Sequence, residues 1–188
     1  MNQTLRLPYA KLAPLPYKAL TDASTALRQA SIGKKLVDLV FLRVSQINGC
    51  AFCIDKHAFD LLAQGDDIQR INSLSTWREV DFFDAREQAA LAWAECLADI
   101  GHTGANDADF AAVRAQFSEQ EVAELSFAAA VMSAWNRMGV AMRQPVQRQA
   151  DVTSLLCAEQ SACGLHAPAE RRMHVHHQPR SAPTGTGR

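Results

Sequence analysis

The sequence has no surplus of charge of either sign. Its 19 Lys and Arg stand against 20 Asp and Glu, a formal net charge of −1 over 188 residues. That balance excludes the basic face of a nucleic-acid binder and the acidic run of a tail-like partner segment. A long apolar run is also missing. The most apolar stretch, Phe127 to Trp135, is far short of the roughly 20 residues that cross a bilayer, so no membrane association is expected. Residues 1–17 carry Arg6, Lys11 and three prolines but no apolar segment of the secretory kind, so the expected compartment is cytoplasmic. No glycine-rich phosphate loop, flavin motif or nicotinamide fingerprint is visible. No cofactor is therefore expected, and reducing equivalents would have to come from a partner protein. Alternation of the strand type is absent as well.

What is present is helical periodicity. Lys34 to Ile47 places Leu36, Leu39, Val40, Phe41, Val44 and Ile47 on a 3.6-residue repeat. Helices are also predicted over Tyr17–Ala30, Cys50–Ala63, Asp66–Leu74 and Asp107–Gln116. Asp84-Ala-Arg-Glu87 and Ser118-Glu-Gln-Glu121 read as capping boxes. The first opens a helix that runs to a stop before Gly101, the second a long one ending near Met142. The expectation is an all-α, single-domain bundle of about six to seven helices in residues 1–149. From 150 to 188 the composition turns to Ala, Arg, His, Pro, Ser, Thr and Gly. A turn or two of helix around Val152–Ala162 and otherwise a disordered, low-complexity tail are expected there.

Chemistry concentrates in Ser45-Gln-Ile-Asn-Gly-Cys-Ala-Phe-Cys-Ile-Asp-Lys-His57. At roughly 100° per residue, Cys50, Cys53 and His57 fall within an arc of about 60° on one helical face. Asn48-Gly49 is a breaker pair, so the thiols come at a helix start, where the dipole favours thiolate. Two thiols one turn apart can form a disulfide or share a metal, and an imidazole one turn on can take a proton. With no export signal visible, the five cysteines read as cytosolic thiols rather than a structural framework, and a CxxC pair in that compartment is more often redox-active or metal-binding.

This segment, together with Trp77-Arg-Glu79, Ala89-Ala-Leu-Ala-Trp-Ala-Glu95, Phe117-Ser-Glu-Gln-Glu121 and Ala134-Trp-Asn-Arg137, resembles the alkylhydroperoxidase D-like, or carboxymuconolactone decarboxylase, family over about residues 15–145. The resemblance implies a thiol peroxidase. In that scheme Cys53 attacks peroxide, Cys50 closes a Cys50–Cys53 disulfide from the more solvent-facing side, and His57 relays the proton. It also implies an acidic residue twelve positions before the first cysteine. That position is Asp38, where the usual family residue is Glu, so the arm is shorter by about 1.5 Å. The implied partners are a peroxide substrate, a lipoyl- or thioredoxin-like dithiol reductant protein, and further copies of the chain in a homo-oligomer (trimer or hexamer).

Alternatives remain open from the residues alone. A zinc site would use Cys50, Cys53 and His57 with Asp38 as a fourth ligand, although no second Cys/His pair is placed to close it. A carboxymuconolactone decarboxylase-type lyase would not need the CxxC pair, and a non-enzymatic redox-sensing module would use it without turnover. Asp55, Lys56 and Asp60 read as exposed charges and Cys96 as a small buried hydrophobe. Cys157 and Cys163 fall in the tail. Trp93, Phe127 and Trp135 read as core or interface packing and Ser45 and Gln46 as partners for polar groups at the turn, while the resemblance implies that Asn136 and Arg137 anchor their helix by hydrogen bonds to neighbouring chains. His102 reads as a surface histidine.

Overall fold

The computed structural model describes residues 4–147. The predicted 150–188 tail, with its helical turn and its two cysteines, lies outside the described residues. Within them the chain forms α1 (Tyr9–Leu12), α2 (Pro14–Leu27), α3 (Lys34–Ile47), α4 (Ala51–Leu62) and α5 (Ile68–Ser73). A 3₁₀ segment follows at Leu74–Glu79, then α6 (Ala85–Ala98), α7 (Ile100–Thr103), α8 (Asp107–Arg114) and α9 (Glu119–Ala141). The all-α expectation holds. The helix number exceeds six to seven because α1 and α7 are four-residue turns, too short for periodicity to register. The first long helix also starts earlier than Tyr17. Pro14 and Pro16 occupy its first turn, where a missing amide hydrogen costs little.

The core is organised around α3. Leu36, Val37, Leu39, Val40, Phe41, Leu42 and Val44 are all buried, more than the single stripe read from sequence, so the helix is covered nearly all round. It packs against α4, α6 and α9. Both predicted capping boxes form, with Asp84 accepting from the Glu87 amide and Ser118 from the Glu121 amide. Partly buried ion pairs tie the elements together. Glu95 of α6 accepts from Arg43 of α3 at 2.7 Å, and from Trp77 Nε1 at 2.8 Å and Arg78 at 2.6 Å on the 3₁₀ segment. Burial alone would raise the Glu95 pKa, but the bonds from Trp77, Arg78 and Arg43 outweigh it and hold it below the usual range. Arg70 of α5 bonds Asp66 and Glu87 and donates to the Phe82 carbonyl.

α9 is the second organising element. Its Ala128, Ala129, Ser133 and Gly139 are buried, which lets its backbone approach the core closely. Asn136 is 1 % exposed. It accepts from Asn48 at 3.0 Å and donates to Ser45 Oγ at 3.0 Å, so it anchors α9 to the end of α3 within its own chain rather than to a neighbouring one. Ser45 in turn donates to the Phe41 carbonyl, the polar role expected of it. Trp93 is buried, and Trp135 packs edge-on to Tyr17 at 5.3 Å and donates to Ser24 Oγ. Phe127 does not pack in the core of the chain: it is 66 % exposed, because the inward arc of α9 runs through Val122, Leu125, Ala129 and Met132, so only the interface half of its reading stays open. Cys96 is buried and His102 exposed, as read. No helix among the described residues is long and apolar enough to cross a membrane.

Truncating Asn136 removes both bonds, which leaves the Asn48 side-chain amide without its partner and Ser45 Oγ with only its bond to the Phe41 carbonyl. Asn136→Ala should cost about 2–4 kcal/mol, read as a lowered midpoint in urea unfolding with an unchanged m-value.

Candidate active site

The site is built at the junction of α3 and α4. Asn48 ends α3, and Gly49 takes φ = 66°, a left-handed value that suits glycine. The chain reverses there, and the Cys50 amide bonds the Ser45 carbonyl at 3.0 Å. Cys50 itself is the N-cap of α4, its sulfur accepting from the Cys53 amide at 3.4 Å. A sulfur thus sits where a Ser or Asp oxygen ordinarily caps a helix, at the positive end of the dipole. The two sulfurs are paired, with the Cα atoms 5.3 Å apart, inside the range a disulfide requires.

Burial reverses one expectation. Cys50 is 1 % exposed and Cys53 5 %, and it is Cys53 that lines a cavity of about 520 Å³ together with His57. Cys50 is not the more solvent-facing thiol, because α9 packs over its sulfur through Gly139. The cavity walls are Phe41, Phe52, Met132, Trp135, Tyr17 and Tyr9, with Arg28 and Lys56 also lining it and Leu5, Pro8 and Lys11 contributed by the N-terminal segment. That segment is held to the end of α9 by Arg6, which donates to the Met142 and Ala141 carbonyls at 2.9 Å each.

His57 is buried on the α4 face one turn beyond Cys53, its ring edge-on to Phe41 at 5.1 Å. Its Nδ1 lies 3.5 Å from Asp38 Oδ1 and 3.3 Å from Asp60 Oδ2, without a well-aligned hydrogen bond to either. Asp38, fully buried, accepts from Gln64 at 2.8 Å, Lys34 at 3.1 Å and Arg28 at 3.2 Å. Asp60 accepts from Arg28 at 2.7 Å and Lys56 at 2.9 Å. Burial by itself would raise the pKa of Asp38, but His57, Lys34, Arg28 and Gln64 outweigh it and hold the carboxyl below its usual value. Asp60 is pushed further down. Burial opposes the shift, and His57, Lys56 and Arg28 overcome it.

All four residues singled out in the sequence, Cys50, Cys53, His57 and Asp38, are therefore brought to one locus. Asp60 was read as an exposed charge and is instead a half-buried partner of His57. Its signal was available, since an acid three residues after His57 shares its helix face. Arg28 and Gln64 were missed, and Arg28 carries no local signal because it reaches Asp38 from α2 across the Gly33 turn. The zinc arrangement does not assemble. Asp38, His57 and Asp60 bring ligand atoms within 4.8 Å of one another, but the cysteines do not join that group. Its two carboxylates are already compensated by Arg28, Lys34 and Lys56, which disfavours a further cation.

The sequence pattern described as the carboxymuconolactone decarboxylase family matches residues 14–95. The uncharacterized protein YdfG of Bacillus subtilis is 36 % identical over 137 residues, 73 % of this chain and 93 % of that protein. The chain belongs to the carboxymuconolactone decarboxylase family. A crystal structure of an Agrobacterium tumefaciens protein of unknown function, described as a candidate antioxidant defence protein AhpD, is 34 % identical with a TM-score of 0.75. It is covered completely by 78 % of this chain. The debrominase Bmp8, at 17 % identity and a TM-score of 0.64 over 80 % of this chain and 78 % of its own, shares the fold alone. The residues at the α3–α4 junction therefore carry the functional argument.

Asp38 and Asp60 bind protons more weakly folded than unfolded, so the unfolded chain takes up more protons in acid. Their contribution to stability is complete above the unfolded carboxyl pKa of about 4. It is lost as the pH falls through the lower folded values. Unfolding midpoints should therefore be flat from about pH 5 to 7 and drop steeply below about pH 4. In Asp38→Asn the acid slope should be shallower.

Proposed function

We propose that this protein is a thiol-dependent peroxidase of the alkyl hydroperoxide reductase type, acting in the cytoplasm. The observation that carries the reading is that Cys53 and His57 share the wall of one cavity while His57 Nδ1 rests against two carboxylates held ionised. With Nδ1 turned to Asp38 and Asp60, Nε2 is the ring nitrogen left to take the Cys53 proton, and the carboxylates stabilise the imidazolium that results. An unperturbed thiol with pKa about 8.5 is roughly 3 % thiolate at pH 7, whereas one lowered to about 6.5 is about three-quarters ionised. The α4 N-terminus works in the same direction.

The Cys53 thiolate attacks the outer peroxide oxygen. The O–O bond breaks, the alkoxide leaves with a proton as alcohol, and Cys53 becomes a sulfenic acid. Cys50 displaces water from it to form the Cys50–Cys53 disulfide. A dithiol partner protein, lipoyl- or thioredoxin-like, then attacks the disulfide, leaves oxidised and restores both thiols. Cys53 is the sulfur at the cavity, which favours it as the attacker and makes Cys50 the resolving thiol.

The aromatic lining favours organic hydroperoxides over hydrogen peroxide. A tail burying about 80 Å² of apolar surface gains roughly 2 kcal/mol, about 30-fold. Self-association is part of the proposal, supported by the exposed apolar side chains Phe127, Ile100 and Val140; sedimentation showing only monomer would count against it.

Consumption of cumene hydroperoxide with a recycling dithiol is the direct test. The wild-type protein should turn over and form a Cys50–Cys53 crosslink, visible by mass spectrometry after one equivalent of peroxide. Cys53→Ser should abolish consumption with the fold retained, and an unchanged rate in that variant would eliminate the mechanism. Asp60→Asn should lower kcat/KM by about 10- to 100-fold.

A further inference from the structure

Gly139 sits in the last turn of α9, buried, its carbonyl accepting from the Gln144 amide at 2.9 Å, and its own backbone is ordinary helix. Glycine in a helix interior is unfavourable relative to alanine, and here no left-handed conformation demands it. What demands it is the neighbour. A methyl carbon at this position would lie 2.9 Å from Cys50 Sγ and 3.7 Å from Cys53 Sγ. The first distance is closer than side-chain carbons approach other heavy atoms, and the atom in the way is not the free end of a flexible chain. Cys50 Sγ is bonded to its partner sulfur and also accepts from the Cys53 amide.

We propose that Gly139 is a positioning residue that holds open the space occupied by Cys50 Sγ in the disulfide, and so sets the balance between the disulfide and dithiol states. The asymmetry follows from tethering. In the disulfide, Cys50 Sγ is fixed between Cys53 and the α9 backbone. In the dithiol it is released and can turn to another staggered rotamer. A side chain at 139 therefore penalises the oxidised state more than the reduced one. Reduction breaks the S–S bond, with two electrons and two protons supplied by an external dithiol that is itself oxidised to a disulfide. The consequence for turnover rests on the peroxidase reading. With Cys50 displaced, closure of the Cys53 sulfenic acid (loss of water, gain of the S–S bond) slows relative to its attack on a second peroxide. That second attack yields a sulfinic acid and an alcohol.

The test is equilibration of wild-type protein and Gly139→Ala in dithiothreitol redox buffers, with the oxidised fraction read by thiol alkylation and mass spectrometry. The equilibrium constant should move about tenfold toward the dithiol, a midpoint about 30 mV less negative. A shift below about threefold, or one toward the disulfide, overturns the proposal. Thermal unfolding of the oxidised protein and of a Cys50→Ala background supplies a second measurement that survives poor folding of the single variant. Gly139→Ala should lower the Tm of the oxidised wild type. Where the sulfur is gone it should raise the Tm, because alanine is the better helix former. The same change in both backgrounds would show that Gly139 serves packing alone. Failure of the wild-type protein to consume peroxide would remove the peroxidase reading and leave the redox result standing.

Discussion

A carboxylate buried without any solvent exposure governs the architecture around the thiols. Asp38 lies on the most deeply buried helix of the bundle, where an uncompensated charge would cost several kcal/mol. Arg28 from α2, Lys34 one turn earlier on α3, Gln64 from beyond the end of α4 and the edge of His57 all converge on it. The Arg28 contact fixes the end of α2 relative to α3, and the Gln64 and His57 contacts fix α4. The charge that orients the imidazole therefore also draws α2 and α4 onto α3. The candidate site and the fold share one electrostatic centre, so a change at Asp38 acts on both the imidazole's surroundings and the stability of the bundle in acid.

The second constraint comes from the other side of the cysteines. Asn136 and Gly139 are three residues apart on α9 and face the same junction. Asn136 grips the end of α3 through Ser45 and Asn48, and Gly139 lets the α9 backbone rest directly on a sulfur. The close approach depends on the grip: without the amide bonds that dock α9, the absent side chain at 139 would leave a void rather than a contact. This arrangement explains why Cys53, and not Cys50, faces the cavity. One sulfur is sealed beneath α9, and the other, a turn further along α4, meets the open space beneath Tyr17 and Trp135.

How much of this was legible in the sequence varied with the range of the interaction. Capping boxes at Asp84 and Ser118 are local, three-residue patterns, and both formed as read. The α3 stripe was visible, although its extension to Val37 and Leu42 was not, because burial on the far side depends on elements distant in the chain. The pairing of Asp38 with His57 was legible only through the family resemblance, and the short-range joint at Asn48-Gly49 between α3 and α4 is the geometry that realises it. Arg28, reaching Asp38 from a helix with no pattern marking that contact, was invisible. So was Gly139, since a glycine in an otherwise good helix sequence reports a close neighbour without saying which. Asp60 was legible and misread: spacing put it on the face of His57, but it was grouped with Asp55 and Lys56 as a solvated charge.

Asp60 also bears on the departure at position 38. A Glu there, as the family resemblance leads one to expect, would carry its carboxylate about 1.5 Å further. With Asp, the oxygen stops 3.5 Å from His57 Nδ1, too long for a strong hydrogen bond. Asp60 approaches the same nitrogen to 3.3 Å from within α4 itself, and His57, Lys56 and Arg28 hold its carboxyl well below the usual range despite partial burial, so it stays ionised at neutral and mildly acidic pH. Two short carboxylates, each too far to bind the ring tightly, together supply the negative field that one longer arm would have delivered alone. Arg28 bridges both and prevents their mutual repulsion from driving either to protonate. The shorter side chain at 38 thus transfers part of the orienting role from α3 to the helix that already carries the histidine and the thiols.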